Sequence, residues 1–141
     1  MNLDKNSKFN IVLFKADAAA IFKNGLVNAT LQNIKEGIDK IKKIPPSSSS
    51  DVWDGLNTAW NMPNVETIYL LSAGVPTYGI RDIDRILDIV KRKHQIQPVK
   101  INTIAFLMGT APNDDKPRSK AFMKSMADLT NGTYRALESD Q

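Results

Sequence analysis

The stretch Glu66-Thr-Ile-Tyr-Leu-Leu-Ser-Ala-Gly-Val-Pro-Thr77 limits what this chain can become more than any other. Its first half is rich in β-branched, aromatic and leucine side chains, and it runs into a Ser-x-Gly-x-Pro-Thr turn. An apolar run of that length, closed by glycine and proline, predicts a strand buried on both faces. Such strands sit in parallel sheets sandwiched by helices, and ligands there gather beyond the C-terminal strand ends. The turn Ser72–Thr77 is therefore the first place to expect a site.

Other segments follow the same grammar. Phe9–Phe14 predicts a second buried strand, and Ala18–Phe22 an antiparallel edge strand folded back on it before the Asn24-Gly25 turn. Thr30 is placed to cap a helix carrying Leu31, Ile34, Ile38 and Ile41 on one stripe, weakened by Gly37 and stopped by Pro45-Pro46. Asp51 caps a second helix, with Trp53, Leu56 and Trp60 inward and Pro63 as its stop. A helix from Asp82 to His94 presents Ile83, Ile86, Leu87 and Val90. Val99–Phe106 predicts a third buried strand. A last helix buries Phe122, Met126 and Leu129 and ends at the left-handed signal Asn131-Gly132, before a strand over Thr133–Leu137.

Helices alternating with apolar strands predict an α/β layered, mostly parallel sheet in one domain over residues 1–141, residues 1–8 forming a flexible N-terminal arm. The serine tract Ser47–Ser50 is too short for a linker and predicts an internal loop.

Composition excludes several functions. With no cysteine among 141 residues, disulfides, thiolate catalysis and cysteine–zinc sites are ruled out. No apolar stretch approaches a membrane span, and the first ten residues lack a secretory pattern, so a cytoplasmic protein is expected. The net charge of +4 comes from scattered lysines without interleaved aromatics. It favours a solvated surface over a nucleic-acid face, which stays open as an alternative.

An enzyme reading rests on Ser72 in Leu70-Leu-Ser-Ala-Gly74, half of a nucleophile elbow with Leu70 in place of the first glycine. The only histidine, His94, ends a basic helix, where it complements the dipole. A serine hydrolase is thus the remote alternative, and no catalytic residue is expected. Asp114-Asp115 lacks the spaced oxygen ligands of a calcium loop.

Phe9–Phe14, Glu66–Thr77, and Ile101–Ala105 with Met126–Tyr134 together resemble the von Willebrand factor type A domain, over about Lys8 to Leu137. The resemblance implies a Rossmann-like layered fold and a protein-binding role. The family's metal-ion-dependent adhesion site takes a D-x-S-x-S motif, a second-loop threonine and a third-loop aspartate. Here no aspartate starts the motif. Ser50 falls on the threonine position and Ala73 on that of the aspartate. A hydroxyl alone cannot offset the dehydration of magnesium, so no metal and no cofactor are expected.

The resemblance also implies that the family's first, central strand and first helix are missing. Three outcomes follow: Phe9–Phe14 pairs directly with Glu66–Ser72, two chains complete each other, or another protein donates a strand. The expectation is a non-catalytic, metal-independent interaction module that forms a homodimer. A fragment completed by a strand within a larger assembly is the alternative. Its binding surface is expected at Ser47–Asp51, Ser72–Tyr78 and Leu107–Lys116, with Ser50, Asp51, Thr77 and Tyr78 as contacts for an unidentified protein partner.

Overall fold

The computed structural model describes residues 6–45, 49–73, 75–107 and 115–138. Its elements are β1 (Lys8–Phe9), β2 (Val12–Phe14), β3 (Ala18–Ala20), β4 (Val27–Asn28), α1 (Leu31–Lys42), α2 (Val52–Trp60), β5 (Thr67–Ser72), α3 (Ile83–Ile96), β6 (Lys100–Leu107), α4 (Asp115–Leu129) and β7 (Tyr134–Glu138).

β5, β6 and β7 form one parallel sheet in that order, joined by the helical crossovers α3 and α4. Odd residues of β6 face α4. Thr103 Oγ1 donates to the Met123 carbonyl at 2.8 Å, and Thr130 Oγ1 accepts from the Ile101 amide at 3.0 Å. Around them lies the core: Leu56, Trp60, Ile68, Leu70, Ile86, Val90, Val99, Ile101, Phe122, Met123 and Met126. Trp60 is fully enclosed, its indole N–H donating to the Gln97 carbonyl at 3.2 Å, as its helical spacing predicts for a core residue.

The first three helices start as read, while the last, expected from near Pro117 or Ser119, starts at Asp115. Thr30 accepts from the Asn33 amide, Asp51 from that of Asp54, and Asp82 from those of Asp84 and Arg85. At the end of α4 the two turn residues divide the work. Asn131 takes the left-handed conformation at φ 61°, while Gly132 is required because a Cβ there would overlap the Ile101 carbonyl.

Four expectations are corrected. Phe9–Phe14 is two short strands, because the Asn10 side chain takes the chain out of the ladder. Its amide donates to the Phe22 and Gly25 carbonyls at 2.8 and 2.9 Å, and its oxygen accepts from the Phe22 and Ile11 amides. Consequently β1 pairs with β4 and β2 with β3, both antiparallel, and β2 is half-buried. Lys8, expected in a flexible arm, pairs with Asn28.

Second, β2 does not pair with β5, so the direct-pairing outcome fails. Third, β5 is covered on one face only. Ile68, Leu70 and Ser72 are buried, whereas Tyr69 and Leu71 are 46% and 48% exposed. Fourth, the α1 stripe is partly open, with Leu31 87% and Ile38 45% exposed.

Gly37 also gains a role. It is buried, and a Cβ would lie 3.1 Å from Ile11 Cδ1, so glycine lets α1 approach β2.

Candidate functional site

The expected surface lies at the C-terminal end of the parallel sheet, and residues of two of its three loops meet. The Ser50 amide donates to Thr77 Oγ1 at 2.9 Å, while the Ser50 carbonyl accepts from the amides of Thr77 and Tyr78 at 3.0 and 3.1 Å. Asp51 follows directly. Its amide donates to the Lys15 carbonyl at 2.6 Å, and its carboxylate caps α2 by accepting from the Asp54 amide at 3.0 Å. Gly79, at φ 66°, leaves the space that the Asp51 carboxylate fills.

A latch therefore joins the end of β2, the start of α2 and the loop after β5. Ser50 and Thr77 hold it by backbone and hydroxyl, Asp51 by carboxylate, and Tyr78 projects at 53% exposure. Sequence reasoning missed Asp54, whose Oδ2 accepts from the Ala18 amide at 2.8 Å and ties β3 to α2. An aspartate in a first helical turn is ordinarily explained by the dipole alone, so the sequence carries no signal for this second bond.

Ser50, Ser72, Ala73 and Thr77 line the same end of a groove. Among the described residues no group of three or more His, Cys, Asp or Glu side chains converges. Ser50 and Ala73 themselves offer a hydroxyl and a methyl group, and the Asp51 carboxylate beside Ser50 is engaged in capping α2. The expected loop 108–114, with Asp114, lies outside the described residues, and Asp115 opens α4.

Ser72 is buried, and His94 is far from it. The His94 ring nitrogen Nδ1 lies 3.1 Å from the Val99 carbonyl, before the start of β6. Ser72 pairs with Ala105 six residues further along, about 20 Å away at the rise of a strand. No nucleophile–base pair forms between them. His94 is bonded inward rather than simply solvated.

The groove has a volume of about 1810 Å³. It lies between β2 and β5, flanked by Ile34, Ile38 and Ile41 of α1 and by Gly55, Leu56 and Ala59 of α2.

No family model matches the sequence. Among solved structures, a von Willebrand factor type A protein from Catenulispora acidiphila superposes with a TM-score of 0.69. It is 14% identical in sequence, covering 97% of this chain and 31% of that one. The fold is that of a von Willebrand factor type A domain.

In sequence, the von Willebrand factor type A-like chain is 30% identical over 132 residues to the human von Willebrand factor A domain-containing protein 3B. That match takes in 94% of this chain, which spans 9% of the length of the human protein. Among the described residues of this type A-like domain, no helix is long and apolar enough to cross a membrane.

Proposed function

We propose that this chain is a non-catalytic, metal-independent protein-interaction module that associates with itself through the open face of its parallel sheet. One observation carries the reading. On the face away from α4, Tyr69, Leu71, Ile104, Phe106 and Leu137 form a continuous apolar surface across three strands, since Leu71 pairs with Ile104 and Phe106 with Leu137. Tyr69, Leu71 and Leu137 are 46%, 48% and 36% exposed. Parallel sheets are ordinarily covered on both faces, and an apolar patch of this kind marks an interaction surface. Lys100, at the start of β6, and Arg135, on the outer strand β7, are the charged side chains on this face of the three strands, and the apolar stretch from Leu71 to Leu137 lies beyond Lys100 where two copies can meet isologously.

The latch at Ser50, Asp51 and Thr77, with Tyr78 projecting from it, is the polar rim offered to a further protein partner. Its hydroxyls and backbone groups act without a cation.

Light scattering at micromolar concentration, with and without magnesium, tests both parts. The expected mass is about twice 15.7 kDa in either buffer. Leu137→Asp should return it to that of one chain while leaving the circular dichroism unchanged. A wild-type chain of single mass, or a mass that changes with magnesium, overturns the reading.

A further inference from the structure

We propose that the outer edge of β7 pairs antiparallel with the same edge of a second copy, Ala136 meeting Ala136 on a two-fold axis. This goes beyond association through the open face, because it uses backbone groups at the rim of the sheet rather than side chains on its surface.

The register with β6 says which way each residue of β7 turns. The Thr103 amide donates to the Thr133 carbonyl at 2.8 Å, and Thr103 lies level with Tyr134. In a parallel ladder, Thr133, Arg135 and Leu137 therefore direct their backbone groups at β6, and Tyr134, Ala136 and Glu138 turn theirs outward. β7 ends the order β5-β6-β7, so among the described residues no strand meets that edge. Nothing in the strand blunts it. It has no proline, its register with β6 runs unbroken from Tyr134 to Glu138, and Arg135 to Glu138 are exposed. Edges of this kind are open to strand addition.

The strand Tyr134-Arg-Ala-Leu-Glu138 fits its own reverse. With Ala136 opposite Ala136, Tyr134 lies opposite Glu138 of the second copy and Arg135 opposite its Leu137. The outward residues Tyr134, Ala136 and Glu138 then all fall in hydrogen-bonded pairs, each pair exchanging both N–H and C=O. No like charges face each other, and the stem of Arg135 can lie over Leu137. Sliding by two residues one way sets Arg135 against its own counterpart. Sliding the other way carries Tyr134 past Glu138.

The alternation of side chains is kept across the axis. Arg135 and Leu137 of both copies lie on the open face. Glu138 stays on the α4 side, where Lys120 of its own chain holds it. The edge thus selects a second copy, whose strand carries the matching order of side chains because it is the same strand. Strands this short bury far less than a standard interface, so the pairing belongs to high concentration. It gives each copy a second, independent two-fold contact through which pairs can join.

The test compares Leu137→Asp with Leu137→Lys. Both place a charge on the open face. On the edge, however, aspartate meets Arg135 of the second copy at two symmetric places, whereas lysine repels it. Sedimentation equilibrium is run from micromolar to millimolar protein, with amide exchange read residue by residue at both ends. For Leu137→Asp the expected mass is that of one chain at micromolar concentration and approaches twice 15.7 kDa at millimolar. Exchange at Tyr134, Ala136 and Glu138 should slow about tenfold over that range, while exchange at Arg135, already bonded to β6, stays the same. Leu137→Lys stays single throughout. Ala136→Pro, added to Leu137→Asp, removes an amide that bonds nothing within one copy, and should abolish the pairing with the circular dichroism unchanged. Equal masses for the aspartate and lysine variants at millimolar concentration, or pairing that survives Ala136→Pro, overturn the inference. A wild type paired at micromolar concentration beside a Leu137→Asp chain that never pairs leaves the open-face reading standing and removes this one. A wild type single at micromolar concentration beside a Leu137→Asp chain that pairs at millimolar does the reverse.

Discussion

Phe14 lies against the bare backbone of Gly55, so closely that a Cβ there would come within 2.7 Å of the ring. This contact seats α2 on β2. Gly55→Ala should destabilise by about 1–3 kcal/mol through overpacking, despite the gain in helix propensity. Gly37→Ala is the contrast. Its Cβ meets the end of a flexible isoleucine side chain at 3.1 Å, so the propensity gain of up to about 1 kcal/mol should leave it neutral or slightly stabilised. Paired urea unfolding curves separate the two.

The Asn131–Gly132 turn makes a sharper prediction. Asn131→Gly keeps the left-handed residue and should change stability by less than about 1 kcal/mol. Gly132→Ala must move the backbone away from Ile101, and should lower Tm by several degrees or abolish the fold. Thermal melts followed by circular dichroism decide this.

Buried hydroxyls just after α4 and on β6 should differ in cost. Thr130→Val leaves the Ile101 amide without its acceptor, for a loss of about 1–3 kcal/mol. Thr103→Val removes only a donor to the Met123 carbonyl and should cost about 1 kcal/mol. Chemical denaturation in one buffer gives the ranking.

Lys120 and Glu138 bridge α4 to β7 at 2.6 Å. The hydrogen bond from Lys120 holds the Glu138 carboxyl below its usual range, and the same bond raises Lys120. A depressed carboxyl stabilises above its unfolded pKa and loses that contribution as pH falls through its folded value. A raised lysine stabilises below its unfolded pKa and loses the contribution as pH rises through its folded one. The difference in urea midpoint between wild type and Glu138→Gln should therefore be largest at neutral pH and shrink toward both extremes. Because both side chains are exposed, it should be small and fall further in high salt.

Much of this fold is legible in the sequence because the signals are local. Helix caps at Thr30, Asp51 and Asp82 depend on a few neighbouring residues, and the strands Thr67–Ser72 and Lys100–Leu107 declare themselves by apolar runs. The breaks lie where a distant partner decides. Asn10 leaves the ladder because Phe22 and Gly25, far along the chain, accept its amide. Tyr69 and Leu71 look like two-sided burial in composition, yet whether anything covers them is a question of topology. In the site, the meeting of Ser50 with Thr77 follows from the expected strand ends. The second bond made by Asp54 leaves no trace in the sequence.

Among the described residues the two halves share no strand-to-strand bond: α2, seated on β2 and β3 at one side and on β5 at the other, spans them. The hairpins and α1 are thus held to the three-stranded sheet without a shared ladder, and the clearance beside Tyr69 is set by the packing of this helix and by the Ser50–Thr77 latch at its end. Compliance there would let the N-terminal third loosen on heating before the C-terminal part does.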